Sequence, residues 1–323
     1  VGYPVMLKAT SGGGGRGIRR CHTEEELRRA YERVVSEATK AFGSAEVFLE
    51  KAVVNPRHIE VQVLGDKYGN VIHLFERDCS IQRRHQKLVE IAPSPQLTDQ
   101  QRTHVCELGV LAAKTVHYEN AGTVEFLLDQ NGEFYFMEMN TRLQVEHTVT
   151  EQITGVDIVQ EQINIAAGLP LSYRQDDIER RGYAIQFRIN AEDPKNDFLP
   201  NYGRITRYYS PGGPGVRTDA AIYTGYEFPP HYDSMCAKLI VWALTWEKVI
   251  ARGRRALMDM GVHGVKTTKP FHLQILSTPE FQAATFDTGF IEKHPKLIDY
   301  SIRRPPQDLA AVIAAALVAY HGL

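Results

Sequence analysis

Between Glu138 and Glu146 every second residue is polar: Glu138, Asn140, Arg142, Gln144 and Glu146. In an extended backbone, side chains two apart point the same way. The five would share one face, with Met139, Leu143 and Val145 on the other. A solvated strand edge has little use for an acid, an amide, a guanidinium, an amide and an acid in succession. A site that holds a metal, an anion and a base does.

Just upstream lies an apolar hairpin, Glu125 to Glu138, with Asn131-Gly132 at its centre. Asn-Gly is a strong signal for a two-residue type I′ turn. That turn sets Glu125 directly opposite Glu138. Opposed like charges destabilise a sheet unless something lies between them. A divalent cation would remove the cost, with Asn140 as a third oxygen ligand. This incomplete oxygen set suits Mg²⁺ or Mn²⁺ held partly by substrate phosphates.

A second cluster of chemistry-bearing residues lies near the N-terminus. The strand Tyr3–Ala9 carries Lys8 and runs into Gly12-Gly13-Gly14-Gly15 and Arg16. Glycines let backbone N–H groups approach phosphate oxygens closely, and Lys8 adds a point charge. The loop lacks the Gly-Lys-Ser/Thr ending of a P-loop and does not open directly into a helix as GxGxxG does.

The elements that position these residues are legible in outline. Thr23 and Glu26 make a capping box for a helix that ends near Gly43. Glu46 to Ala52 is a strand, completing a β–loop–α–β unit. Arg57 to Ser80 reads as paired strands with a turn near Gly69, and Thr98 to His117 as a helix. Asp157 to Ala167 is helical, ending at Gly168. From Gly182 the chain is strand-rich, with helices around Trp246–Met260 and His272–Ser277. An Ala-rich helix, Leu309 to Ala319, packs on something near the C-terminus.

Composition excludes several classes. A hydrophobic content of 43% with 24% charged residues is that of an ordinary globular protein. A net charge of -2 and a pI near 6.7 give no nucleic-acid footprint. The longest apolar run is shorter than the about 20 residues a membrane span needs. Four widely spaced cysteines without a CxxC pair indicate neither zinc nor a disulfide framework, so reduced cytoplasmic thiols are expected. No signal peptide is visible. Because Val1 runs straight into a strand, the chain reads as a fragment. His58-Ile59-Glu60 is faintly like a deaminase motif, but the PCxxC partner is absent.

Five blocks carry a resemblance to a known family: Lys8 to Gly17, Glu76 to Ser80, Gln82 to Lys87, Glu138 to His147, and Arg188 to Asp193. Together they resemble biotin carboxylase of the ATP-grasp superfamily, over roughly residues 1–297. The resemblance implies an α+β chain, an ATP-grasp fold followed by a biotin carboxylase C-terminal subdomain. It implies a small subdomain with a glycine-rich lid at 1–53 and a large one with the metal and bicarbonate site at 54–181. The C-terminal subdomain follows at 182–297, and then a tail helix at 298–323.

The implied reaction is ATP-dependent carboxylation of biotin by bicarbonate through carboxyphosphate. Lys8, Gly13, Gly14 and Gly15 would hold phosphates, and Glu50 and Lys51 would end a hinge facing adenine. His58, Gln82 and His85 match positions around the nucleotide. Glu125, Glu138 and Asn140 would hold Mg²⁺ or Mn²⁺. Lys87, Arg142, Gln144 and the Val145 N–H would cradle bicarbonate. Glu146 is the candidate base, and Arg188 would stabilise charge on the biotin ureido oxygen. Biotin would arrive on a carrier protein or domain and leave to a carboxyltransferase subunit, since the chain contains neither. The tail looks more like that of a pyruvate carboxylase subunit than of the acetyl-CoA carboxylase component. The family's N-terminal α/β domain, which contributes to the cleft and to a homodimer contact, is absent. Two other readings stay open: another carboxyphosphate-forming ATP-grasp ligase, and a non-catalytic nucleotide-binding module.

Overall fold

The computed structural model describes residues 2–11, 17–301 and 306–321. A small unit comes first. β1 (Val5–Ala9), β2 (Ile18–Cys21) and β3 (Val47–Lys51) form an antiparallel sheet in the order β2-β1-β3. Helix α1 (Glu24–Phe42) covers it, burying Val34 and Ala38 against Leu7 and Ala9. Thr23 caps α1 by accepting from the Glu26 N–H, but the Glu26 carboxylate reaches the His22 N–H rather than that of Thr23. Strand β2 carries no signal in the sequence pattern and forms by pairing with β1. Residues Gly12 to Arg16, including the proposed phosphate-binding Gly13, Gly14 and Gly15, lie outside the described residues.

An eight-stranded, wholly antiparallel sheet then dominates. Its first members are β4 (Arg57–Gly65), β5 (Val71–Arg83), β6 (Gln86–Ala92), β7 (Asn120–Leu128) and β8 (Phe134–Asn140). Downstream come β9 (Tyr183–Asn190) and two short ribbon strands, β10 (Glu192–Asp193) and β11 (Leu199–Pro200). β12 (Arg207–Tyr209), β13 (Val216–Ala220), β14 (Met235–Ala243) and β15 (Gly261–His263) follow. The order is β13-β14-β9-β6-β5-β4-β7-β8, so one sheet runs without a break from residues 57–140 into residues 183–243.

The two faces of this sheet differ in chemistry because the side-chain period is two. On β4, Ile59, Val61 and Val63 pack with Val105, Cys106 and Ala113 of helix α2 (Asp99–Thr115). Gly109 brings α2 close, since a Cβ there would lie 2.7 Å from Val61 Cγ1. The alternate residues His58, Glu60 and Gln62 are equally buried, on the other face. Helix α3 (His147–Thr154) lies over that face and contacts β5, β6, β9 and β14. Helix α4 (Ile158–Ala166) follows, capped by Asp157. Helices α5 (Trp246–Asp259) and α6 (Lys269–Ile275) pack on β9 and β14 in the largest apolar core. The short helices α7 (Pro279–Gln282) and α8 (Phe290–Lys293) complete it.

Two expectations need correction. The hairpin does not turn on a two-residue Asn131-Gly132 loop. Asp129 opens a longer turn, accepting from the Asn131 and Glu133 N–H groups, with Gly132 left-handed at φ 89°. The strand pairing is therefore offset by one residue near the loop, and a bulge at Met137 restores it, so that Glu125 still opposes Glu138. The Ala-rich helix also forms, as α9 (Pro306–His321), but its described side chains from Ala310 to His321 are exposed rather than packed on this chain.

Candidate active site

One row of side chains crosses the sheet on the α3 face. Arg77 on β5 opposes Glu60 on β4, Glu60 opposes Glu125 on β7, and Glu125 opposes Glu138 on β8. Three carboxylates on adjacent strands are costly without cations, and the neighbouring strands supply them. Lys87, from β6, places its Nζ 2.5 Å from Glu60, 2.8 Å from Glu125 and 2.6 Å from Glu146. The fully buried Arg77 donates to Glu60 at 2.5 Å, to Gln62, and to the hydroxyls of Thr123 and Thr150.

Glu146 is the N-cap residue of α3, yet its carboxylate makes no capping hydrogen bond. It is held instead between Lys87 at 2.6 Å and Arg188 at 3.0 Å. Arg188, on β9, also donates to Glu90 on β6 at 2.5 Å, and Gln186 donates to the other Glu90 oxygen. The buried centre thus sets Glu60, Glu90, Glu125 and Glu146 against Arg77, Lys87 and Arg188 as permanent cations.

Environment tunes these groups. Burial pushes the Glu60 carboxyl up, but Lys87 and Arg77 outweigh it and bring it down to about 2. The same opposition, with His58 and Lys87 as partners, holds Glu125 far below the usual carboxylate range. Glu90 goes the other way, because burial there exceeds the pull of Arg188. Lys87 is raised: burial lowers it, and Glu60 leads the carboxylates that more than compensate.

The polar run does not stay extended. β8 ends at Asn140, and the chain turns through Arg142 into α3. Glu138 and Asn140 keep the strand face, whereas Gln144 and Glu146 reach the same cluster from a loop and a helix start. Gln144 donates to Glu125 at 3.2 Å and accepts from Arg77. Arg142 is exposed, with its guanidinium turned to the Leu143 carbonyl. The turn is ordered because Leu143 packs beneath it while Lys238, on β14, donates to the Val145 carbonyl at 3.1 Å.

The remaining expected residues divide. Gln82 donates to His58 Nδ1 at 2.7 Å, which leaves the His58 proton on Nε2, 2.9 Å from Glu125. His85 sits exposed at the β5–β6 hairpin tip, left-handed like Arg84 before it. Lys8 pairs with Glu50 across the small sheet, and Lys51 donates to the Gly2 and Tyr3 carbonyls. Among the described residues, no hydrogen bond or ion pair joins Lys8, Glu50 or Lys51 to the central cluster.

A divalent cation fits at the sheet edge. Asn140 Nδ2 lies 3.0 Å from Glu125 Oε1 and 3.4 Å from Glu138 Oε1. Turning that amide over would bring its oxygen beside both carboxylates with no change of shape, and two carboxylates with an amide oxygen are the donor types a divalent cation takes. His58, Glu60 and Glu125 also offer ligand atoms within 4.8 Å of one another. Lys87 already lies within 2.5 Å of Glu60 and 2.8 Å of Glu125 at that centre.

Glu60, Glu90, Arg77, Gln186 and Lys238 were missed as site residues in the sequence. The signal existed for the first: His58, Glu60 and Gln62 alternate with Ile59, Val61 and Val63, the same pattern that marked the downstream run.

Comparison with known proteins defines first the class. Residues 1–174 match the family model of the carbamoyl-phosphate synthase L chain ATP-binding domain, and residues 186–293 that of the biotin carboxylase C-terminal domain. The fold is thus an ATP-grasp fold joined to a biotin carboxylase C-terminal domain. The small subunit of 2-oxoglutarate carboxylase from Hydrogenobacter thermophilus is 57% identical over 323 residues, all of this chain and 68% of that protein. The biotin carboxylase of Nostoc sp. is 53% identical over 92% of this chain and 66% of that one. The solved biotin carboxylase domain dimer of the Hydrogenobacter enzyme, in complex with MgADP, ADP and bicarbonate, superposes with a TM-score of 0.91 at 58% identity. That match covers 93% of this chain and 66% of the other. The chain belongs to the biotin carboxylase family, and it spans about two thirds of the length of these relatives.

Proposed function

We propose that this protein carries out the ATP-dependent carboxylation of biotin, the first half-reaction of a biotin-dependent carboxylase, in the cytoplasm. The observation that carries the reading is Glu146, a buried carboxylate suspended between Lys87 and Arg188 at the mouth of α3. Bicarbonate binds at the turn before it, held by Lys87, Arg142, Gln144 and the Val145 N–H. Glu146 takes the bicarbonate proton as the oxygen attacks the γ-phosphorus of ATP, giving carboxyphosphate and ADP. Carboxyphosphate breaks down to CO₂ and phosphate, the phosphate takes the ureido proton of biotin, and the freed ureido nitrogen captures the CO₂. Arg188 stabilises the negative charge on the ureido oxygen in that step.

Glu125, Glu138 and Asn140 would hold Mg²⁺ or Mn²⁺, which offsets charge on the phosphates. Lys8 and the glycine loop, with Glu50, Lys51, His58, Gln82 and His85, serve the nucleotide. Biotin comes on a carrier protein or domain, a carboxyltransferase subunit uses the product, and the intact protein is a homodimer. The division at 53/54, 181/182 and 297/298 separates the small and large ATP-grasp parts, the C-terminal part and the tail. Four buried thiols, none of them paired, suit the reducing cytoplasm.

ATP cleavage with Mg²⁺, measured with and without bicarbonate and free biotin, tests the reading. Wild type should require bicarbonate and respond to biotin. Glu146→Gln should lose about a hundredfold or more of the bicarbonate-dependent rate while still binding ATP. Full activity in that variant would remove Glu146 as the base, and ammonia dependence in place of biotin dependence would point to a different carboxyphosphate-forming ligase.

A further inference from the structure

We propose that His147 is a positioning residue for the peptide that binds bicarbonate, a role that rests on bicarbonate occupying the Gln144–Glu146 turn. The His147 Nδ1 lies 2.8 Å from the Gln144 carbonyl oxygen, and the His147 N–H lies 3.3 Å from the same oxygen. A carbonyl can only accept, so the ring proton sits on Nδ1 and is donated. In a trans peptide the C=O and the following N–H point in opposite directions. Fixing the Gln144 carbonyl toward the helix therefore aims the Val145 N–H away from it. No hydrogen bond from the Val145 N–H is found among the described residues, so that donor is available.

The next peptide is fixed as well, since Lys238 donates to the Val145 carbonyl at 3.1 Å. The Gln144 side chain is pinned by Arg77 and Glu125. With both flanking groups held, His147 is the side chain that decides the orientation of this one peptide plane. Burial favours its neutral ring, which keeps a single donor on Nδ1. The opposite nitrogen, Nε2, lies 3.8 Å from Glu151 at a cleft that Asp157 and Arg217 also line. If the histidine were only a Glu151 partner, Nε2 rather than Nδ1 would matter, and if it only packed, neither would.

Three substitutions in the full-length protein separate the two roles. Asparagine places its amide nitrogen near the Nδ1 position, glutamine near the Nε2 position, and leucine offers no donor. His147→Leu and His147→Gln should raise KM for bicarbonate at least about tenfold, with KM for ATP within about twofold of wild type. His147→Asn should return KM for bicarbonate to within about threefold. Rescue by glutamine and not asparagine, or equal rises in both KM values, would overturn the proposal.

A second measurement needs no variant. Nitrogen-15 NMR of the wild-type histidine rings should show His147 protonated at Nδ1, and the Val145 amide should shift on titration with bicarbonate. An Nε2–H tautomer with a responsive Val145 amide sinks the role of His147 alone. No response of that amide, together with ATP cleavage indifferent to bicarbonate, sinks the bicarbonate site and this proposal with it.

Discussion

Replacing Lys87 by methionine keeps most of the stem but removes the ammonium that touches Glu60, Glu125 and Glu146. Arg77 still holds Glu60, His58 stays 2.9 Å from Glu125, and Arg188 stays 3.0 Å from Glu146. Removing one partner of a buried ion pair costs about 3–5 kcal/mol. Proton uptake limits the loss here, because one of the three acids can neutralise itself. For an acid with the ordinary value of 4.5, protonation at pH 7 costs about 3.4 kcal/mol, two and a half pH units at about 1.36 kcal/mol each.

The sign follows from proton linkage. In wild type, Glu60 falls from 4.5 to about 2, because Lys87 and Arg77 overcome the opposing effect of burial. Its stabilisation is complete above pH 4.5 and is lost only as pH falls toward 2. The variant's native state holds one proton that its unfolded state has released, so its stability falls as pH rises. The deficit against wild type should grow from about 0.7 kcal/mol at pH 5 to about 3.4 kcal/mol at pH 7. Urea unfolding followed by circular dichroism at pH 5, 6 and 7 gives this difference directly, since slopes from the buried histidines are common to both proteins. A deficit that does not change with pH, or one below about 1 kcal/mol at pH 7, would mean that Lys87 does not hold the three carboxylates together.

Glu138→Gln should weaken Mn²⁺ binding about tenfold or more, by calorimetry, because it removes a carboxylate ligand. The melting temperature of the metal-free protein should not move, since Glu138 is exposed; unchanged affinity would place the ion elsewhere. Gly109→Ala forces a Cβ to 2.8 Å from Val61 Cβ and should cost about 1–3 kcal/mol in thermal or urea unfolding. A neutral result would mean that α2 can lift from β4 freely. Burial depresses His272 from 6.5 to about 4, so its contribution is present above pH 6.5 and is lost as pH falls toward 4, at up to about 1.4 kcal/mol per pH unit. His272→Gln should flatten that slope, and an unaltered slope would show that the ring is already charged in the native state.

Residue types and their spacing made most of the local units legible. Period-two and helical patterns, with Thr23 as a cap, marked most strands and long helices, while the caps Thr98 and Asp157 showed only in the structure. The pairing of Glu125 with Glu138 followed from hairpin arithmetic, although the turn was longer and a bulge made the sum come right. Alternation failed after Asn140 because it carries no sign of where a strand stops; Leu143 packing and the Val145–Lys238 contact bend the chain there, and both depend on distant residues.

That Lys87, Glu60, Glu125, Glu146 and Arg188 meet is a product of the whole fold, because they come from β6, β4, β7, the start of α3 and β9. A buried carboxylate is tolerable only beside a cation, and which cation lies beside it is set by strand order. That order, β9-β6-β5-β4-β7, is decided by packing of the two sheet faces over the whole chain. Residue types thus declare that a charged site must exist, while the sheet decides which charges neutralise which.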